Sequence, residues 1–115
     1  MEPGCVFCAI VSQPASAELV HKDDLVTAFR DRFPQAPVHV LVVPNRHVSG
    51  VADLSEEDAP LVARMIAVAN RIAAQEGLAQ DGYRLVVNQG PAAGQSVFHL
   101  HLHLLGGRRL GPSPG

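Results

Sequence analysis

Near the carboxyl end, the stretch GQSVFHLHLHLL covers residues 94–105 and places three histidines at alternate positions. His99, His101 and His103 would share one face of a β-strand, because strand side chains alternate between two faces. Phe98 and the leucines between the histidines would point to the opposite face, into the core. The stretch therefore predicts a strand with one face of imidazoles and one apolar face.

Four segments upstream also have the composition of strands. Runs in AELVHKD, DLVTAFRD, VHVLVVP and YRLVVN each predict one, and Pro44 closes the third. Between the third and fourth, apolar residues recur at helical spacing from Val62 to Ala73, after a capping-box variant at Ser55 and before a stop at Gly77. Five strands and one long helix predict an α+β domain with an antiparallel sheet. We expect the helix to cover one face of the sheet and functional residues to lie on or beside the other.

The size and composition of the chain exclude several classes of protein. Its 115 residues suit one domain, and 47% hydrophobic with 17% charged residues indicates a globular chain. A net charge of −2 with scattered arginines argues against a nucleic-acid partner, and no apolar run is long enough to span a membrane. The first ten residues lack the basic and long apolar segments of a secretory signal, so we expect a cytoplasmic protein with reduced thiols.

The two cysteines, Cys5 and Cys8, have C-x-x-C spacing. Such a pair is typical of half a metal site or of a redox couple, and it also arises by chance. Because two cysteines cannot close a tetrahedral zinc site, a zinc site would require two histidines from elsewhere in the chain.

Three interpretations of the histidine stretch compete. It could be the polar face of an ordinary strand, although three histidines in strict alternation beside a glycine-rich loop make this the weakest. It could be a hydrolytic metal centre, although no acidic residue lies in the strand or the loop. It could also supply a nucleophilic imidazole that attacks phosphorus, with neighbouring imidazoles holding its tautomer and relaying protons.

The motif H-x-H-x-H, preceded by GQS, resembles the histidine triad (HIT) family of nucleotide hydrolases and transferases, and within it the nucleoside phosphoramidase branch. The similarity extends over DDLVTAFRD, PQAPVHVLVVPNRHVS, the helix and NQGPAAGQSVFHLHLHLLGG. It implies one HIT domain over residues 1–115, with a HIT-like fold, a short amino-terminal helix and an extended tail at 107–115. It also implies a homodimer, in which two units form one continuous sheet.

The resemblance assigns catalytic roles to four residues. His101 would be the nucleophile that attacks the α-phosphorus and forms a nucleotidyl-histidine, which water then hydrolyses. His103 and His39 would orient that imidazole and relay its proton. Ser96 would bind the phosphate or the departing amine.

The same resemblance implies a site for a purine nucleotide. Asp31 would accept hydrogen bonds from the ribose hydroxyls, Asn88 would bind ribose or phosphate, and the loop Gly94–Ser96 would contact the phosphate. The residues implied in nucleotide binding are Asp31, Asn88, Gly94, Gln95, Ser96, Phe7, Ile10 and Phe29, of which the last three would flank the base.

Zinc is the cofactor that the resemblance implies. Several relatives bind it through an amino-terminal C-x-x-C and two histidines, which here correspond to Cys5, Cys8, His47 and His99. Closed Cys2His2 sites are structural, so no metal would be required for the chemistry itself. The expected activity is release of a nucleoside monophosphate from nucleoside 5′-phosphoramidates. The alternatives are a dinucleoside polyphosphate hydrolase of the same family and a nucleotide-binding or scaffold protein with vestigial activity.

Overall fold

A computed structural model describes residues 2–113 of the chain. The strands and α-helices, in chain order, are α1 (Val6–Ser12), β1 (Leu19–Lys22), β2 (Val26–Arg30), β3 (Val38–Pro44), α2 (Ala59–Gln75), β4 (Tyr83–Val86) and β5 (Leu102–Gly106). The strands form one antiparallel sheet in the order β1-β2-β3-β5-β4. This is the α+β architecture that the sequence predicts, and the short amino-terminal helix is α1.

The main core lies between α2 and one face of the sheet. Alternate residues of β3 and β5 point into it, because each strand presents every second side chain to the same face. Val40, Val42 and Leu104 are fully buried there, against Val68 and Ile72 of the helix. The side chains between them point to the opposite face, which is where His39 and His103 lie.

That opposite face carries a second, smaller core beneath α1. Phe7 and Ile10 of the helix pack on Phe29, Leu41 and Val43 of the sheet. Since α1 covers only part of this face, the remainder is available to the polar side chains of the candidate site.

The last strand is shorter than the sequence predicts. It begins at Leu102, whereas the alternation predicted strand structure from Val97 onward. The backbone N–H of Leu100 donates to Val48 O at 2.6 Å, so the segment before the strand bonds to the loop after β3. Phe98, predicted to face the core, is 51% exposed for the same reason.

The long helix begins later than the capping signal and is preceded by a 3₁₀ turn, Glu56–Asp58. The carboxylate of Asp58 accepts a hydrogen bond from the Ser55 backbone N–H at 2.9 Å, so the predicted capping pair forms on that turn. Within residues 2–113, no helix combines the length and apolar character needed to cross a bilayer.

The predicted tail contains no helix or strand over residues 107–113, and positions 114 and 115 lie outside the described residues. Two arginine contacts hold it to the domain. The guanidinium of Arg84 donates to Gly111 O at 2.6 Å, and that of Arg108 donates to Gln35 O at 2.9 Å.

Candidate functional site

Two groups of histidines occupy the face of the sheet that α2 leaves open. Because β3 and β5 are neighbours, His39 and His103 lie diagonally across the ladder, and their Nε2 and Nδ1 atoms are 2.9 Å apart. His101, one residue before β5, stands with its ring 4.9 Å from that of His103. His99 instead turns towards α1, where the two cysteines lie. The side chains of the three alternating histidines are therefore divided between two clusters.

Hydrogen bonds from the backbone define the tautomers in the first cluster. The N–H of Gln35 donates to His39 Nδ1 at 3.1 Å, so in the neutral ring the proton of His39 is on Nε2 and points to His103 Nδ1. His103 then carries its own proton on Nε2. That atom is buried and has no hydrogen-bond partner among the described residues. A buried N–H donor without a partner is costly, which is typical of a group that binds a ligand.

The tautomer of His101 follows from the same reasoning. Its Nδ1 lies 2.8 Å from the carbonyl oxygen of His99, an acceptor, so Nδ1 carries the proton. The lone pair of the neutral ring is then on Nε2, which has no protein partner among residues 2–113. Phe7 packs edge-on against the ring, with centroids 5.1 Å apart, and the side chain is buried. This arrangement presents one fixed, unprotonated nitrogen for nucleophilic attack.

Burial keeps the relay histidines neutral. Burial, together with the positive charges that His101 and His39 would carry, lowers the pKa of His103 to about 4. Burial also lowers the pKa of His39, an effect that the carboxylate of Asp31 opposes. The nearer Asp31 oxygen is 3.4 Å from His39 Nε2, so this carboxylate extends the chain of polar contacts that leads to His101.

The predicted nucleotide-binding residues fall into exposed and buried groups. Ser96 is exposed and Asn88 half-buried, and neither side chain has a hydrogen-bond partner among the described residues. The ladder between β4 and β5 ends at the pairing of Val86 with His103, and Asn88 follows that pair by two residues. These two polar groups remain available to a ligand.

Gly94 has the left-handed backbone that its position requires, with φ of +94°, where a side chain would be strained. Gln95 was expected to contact the nucleotide, but its side chain bonds to the protein backbone instead. Its buried amide accepts from Gly90 N–H at 2.8 Å and donates to Ser49 O at 2.8 Å, and its own N–H bonds to Gly90 O. It therefore holds the loop in shape.

The three apolar residues expected to flank a base are all buried. Phe7, Ile10 and Phe29 belong to the small core under α1, and the rings of Phe7 and Phe29 meet edge-on at 5.4 Å. In the single chain they act as packing residues beneath the histidine cluster.

The second cluster brings together the four residues expected to bind zinc. The ligand atoms of Cys5, Cys8, His47 and His99 all lie within 4.8 Å of one another. Cys5 caps the amino end of α1, its sulfur accepting from Cys8 N–H at 3.3 Å, and one helical turn then places both thiols on the same side. The group is a candidate metal centre.

Both imidazoles of this cluster turn Nδ1 towards the sulfurs. His99 Nδ1 is 3.3 Å from Cys5 Sγ and 3.5 Å from Cys8 Sγ, while its Nε2–H donates to Pro44 O at 2.8 Å. His47 Nδ1 is 3.3 Å from Cys8 Sγ, and its Nε2 lies 3.4 Å from the Ser49 hydroxyl. Because the Pro44 carbonyl can only accept, the proton of the neutral His99 ring is on Nε2, and its Nδ1 keeps the lone pair that a metal needs.

The spacing of these atoms suits a tetrahedral ion. Usual zinc–sulfur and zinc–nitrogen bond lengths at tetrahedral angles put sulfur and nitrogen about 3.6 Å apart. The observed separations of 3.3–3.5 Å agree with that edge. Burial raises the pKa of the Cys5 thiol and lowers that of His99, so a cation would be needed to hold the thiolate form.

The sequence did not reveal the backbone groups that define the site. The carbonyls of Pro44 and His99 and the N–H of Gln35 fix three histidine tautomers. No side-chain motif could have identified them, since every residue carries such groups.

Comparisons with known proteins show the family and the fold of the chain. The family described as the HIT domain matches residues 13–110. A purine nucleoside phosphoramidase of Escherichia coli (strain K12) is 51% identical over 107 residues, which cover 93% of this chain and 90% of the relative. A crystal structure of a HIT family hydrolase from Legionella pneumophila superposes with a TM-score of 0.94 at 43% identity, covering 97% of this chain and all of that one.

A third relative bears on the metal centre. The crystal structure of a zinc-bound histidine triad family protein from Mycobacterium smegmatis has a TM-score of 0.78 and 42% identity, over 97% of this chain and 80% of that one. The structural similarities confirm the predicted fold class.

Proposed function

Because the chain belongs to the HIT domain family, we propose that it hydrolyses nucleoside 5′-phosphoramidates through a covalent intermediate on His101. The family resemblance seen in the sequence is confirmed, and the chain is a hydrolase of that family. The observation that carries the reaction is the 2.8 Å hydrogen bond from His101 Nδ1 to the His99 carbonyl, which leaves Nε2 as the nucleophile.

In the first step, the lone pair of His101 Nε2 attacks the α-phosphorus. A bond forms between that nitrogen and phosphorus, and the bond from phosphorus to the leaving amine breaks. The amine nitrogen keeps the electron pair and takes up a proton from the solvent. In the second step a water oxygen attacks phosphorus and releases a proton to the solvent, the bond to Nε2 breaks, and the nucleoside monophosphate leaves. His101 returns to its starting state, so the reaction consumes only water.

The surrounding polar groups support the charge changes of these steps. The Nε2–H of His103, which has no partner among the described residues, donates to a phosphate oxygen, and His39 fixes the tautomer that makes this donation available. The Ser96 hydroxyl and the Asn88 amide, to which no described residue forms a hydrogen bond, bind the phosphate or the departing amine and the ribose. Asp31 accepts hydrogen bonds from the ribose hydroxyls. Its contact with His39 favours the protonated form of that imidazole, because the carboxylate raises the pKa of His39.

We also propose that Cys5, Cys8, His47 and His99 hold a structural zinc ion. The separations of the ligand atoms, the Nδ1 atoms of His47 and His99 that face the sulfurs, and the zinc-bound relative support this. Zinc in a closed site of this kind cross-links the chain and activates no water. Elemental analysis of protein prepared without chelator should find about one zinc per chain, and a zinc-free sample would refute the assignment.

Competing substrates test the proposed reaction. Adenosine 5′-phosphoramidate should be hydrolysed faster than diadenosine polyphosphates, and mass spectrometry during turnover should find the nucleotidyl group on His101. The opposite preference would favour a dinucleoside polyphosphate hydrolase. Absence of turnover with both would favour a binding or scaffold protein, and an adduct on another residue would reject His101.

A further inference from the structure

His99 belongs to both clusters at once. Its side chain faces the two cysteine sulfurs at 3.3 and 3.5 Å, and its carbonyl oxygen accepts the Nδ1–H of His101 at 2.8 Å. The group that fixes the tautomer of the nucleophile is therefore the backbone of a residue in the metal centre.

The position of that carbonyl depends on contacts outside the sheet, among them the burial of the Leu100 side chain in the main core. Residues 97–101 lie outside the sheet, so no ladder holds them. The His99–Leu100 peptide is held on one side by the Leu100 N–H to Val48 O and on the other by the fully buried His99 ring. The ring in turn has one strong bond, to Pro44 O, and its second anchor is the metal centre. Thiols alone would be weak partners, since S–H is a poor donor.

A second link runs through α1. Phe7 lies between the two cysteines in sequence and packs edge-on against both His99 and His101, with centroids 6.0 and 5.1 Å apart. The helix is attached to the sheet by the packing of Phe7, Ile10 and Val11 and by a hydrogen bond from Lys22 Nζ to Val11 O at 3.1 Å. The cluster of thiols and imidazoles provides a further attachment. Loss of the metal would loosen the Phe7 ring and the His99 carbonyl together.

We propose that the metal centre determines the catalytic geometry of His101, and that Cys5, Cys8 and His47 are positioning residues for the nucleophile. The proposal rests on the proposed function. Metal held at His99 Nδ1 fixes the His99 carbonyl, and this keeps the proton of His101 on Nδ1 and the lone pair on Nε2. Without metal the ring can turn or exchange tautomers, so the fraction of attack-ready enzyme falls while nucleotide binding persists.

Ligand variants separate this positioning from simple destabilisation. Cys8→Ser and His47→Ala should lose the metal and lower kcat by about 10- to 100-fold, the scale of a small misplacement of a reacting group, with KM within about twofold. His47→Cys should restore both metal content and kcat, since three cysteines and one histidine also close a zinc site. Ala9→Ser, on the exposed side of α1, is the matched control and should change neither.

A spectroscopic readout does not depend on turnover. Nitrogen NMR of the His101 ring, assigned by comparison with His101→Ala, should show one tautomer in metal-loaded wild-type protein. After removal of zinc by chelator, or in Cys8→Ser, the same signals should report tautomer exchange. Circular dichroism at the assay temperature selects samples that remain folded, and zinc added back to chelated wild type should restore the signal and kcat together.

Two results would overturn the proposal. One is a folded, metal-free protein whose His101 tautomer is unchanged and whose kcat is within about twofold of wild type. The other is His47→Cys that binds zinc but keeps the low kcat of His47→Ala. If wild-type protein turned over no nucleotide, the proposed function would fail, and the NMR comparison alone would then decide whether the metal holds the nucleophile.

Discussion

Leucine in place of His103 removes the buried Nε2–H that has no partner among the described residues. Since no described residue forms a hydrogen bond to this atom, the one hydrogen bond among them that the substitution removes joins Nδ1 to His39. The freed His39 Nε2–H can turn to the Asp31 carboxylate, 3.4 Å away, so His39 need not be left unsatisfied. We therefore expect the variant to fold and to show its defect in ligand binding.

The size of the defect follows from the kind of bond that is lost. A hydrogen bond from His103 to a phosphate oxygen would have a charged acceptor in a buried setting, worth about 1.5–3 kcal/mol. Affinity for a nucleoside 5′-monophosphate should then weaken by about 10-fold to about 150-fold. His103→Gln should lose less, because the glutamine amide can place an N–H donor near the position of Nε2.

Isothermal titration with adenosine 5′-monophosphate measures this directly. His21→Leu is the matched control, since that imidazole lies on β1 and binds Asp23, and its affinity should equal that of wild type. If His103→Leu bound the nucleotide within about threefold of wild type, the unpartnered nitrogen would not be a ligand donor. The same conclusion would follow if the glutamine and leucine variants lost equal affinity.

Three other measurements test the nucleophile, the buried histidines and the assembly. His101→Ala should lose several orders of magnitude in turnover yet still bind nucleotide; a pure variant with about a tenth of the wild-type rate would contradict this. As pH falls from 6.5 to about 4, His103 should lower the free energy of unfolding by about 3 kcal/mol, because the unfolded chain takes up a proton that the folded side chain excludes. Urea titrations over this pH range should show a steeper loss of unfolding free energy in wild type than in His103→Gln. Sedimentation at micromolar concentration should give a homodimer because both sheet edges are open in the single chain; a species of 12.2 kDa would count against it.

Patterns of side chains predicted the elements well, because burial governs them. The run from Val38 to Pro44 is buried almost throughout, as a central strand between two cores requires, and its one early polar residue, His39, faces the site. Of the apolar residues in the predicted helical run, Met65, Ala69, Ile72 and Ala73 are buried against the sheet, whereas Ile66 is exposed. These patterns did not predict the order of the strands, because they indicate which face of a strand is apolar but not which strands are neighbours in the sheet.

The residues of the candidate site were predicted as a set, but their grouping was only partly predictable. A strict strand would have put all three imidazoles on one face, roughly 6.5–7 Å apart at Cα. Hydrogen bonds between backbone groups that are distant in sequence, such as Leu100 N–H to Val48 O, instead keep His99 and His101 outside the strand. Gln95 shows the same effect, since a residue expected to face the phosphate is used to hold the loop.

The departure of residues 97–101 from the sheet is what lets one short motif do two kinds of chemistry. In a regular strand the carbonyl of His99 would point sideways to a neighbouring strand and would be engaged in the ladder. Released from the ladder, it accepts the Nδ1–H of His101, while the His99 ring turns away to Pro44 and the cysteines. His103, one residue inside β5, keeps the strand geometry that its contact with His39 requires. The strand β5 therefore begins between His99, which belongs to the metal centre, and His103, which contacts His39.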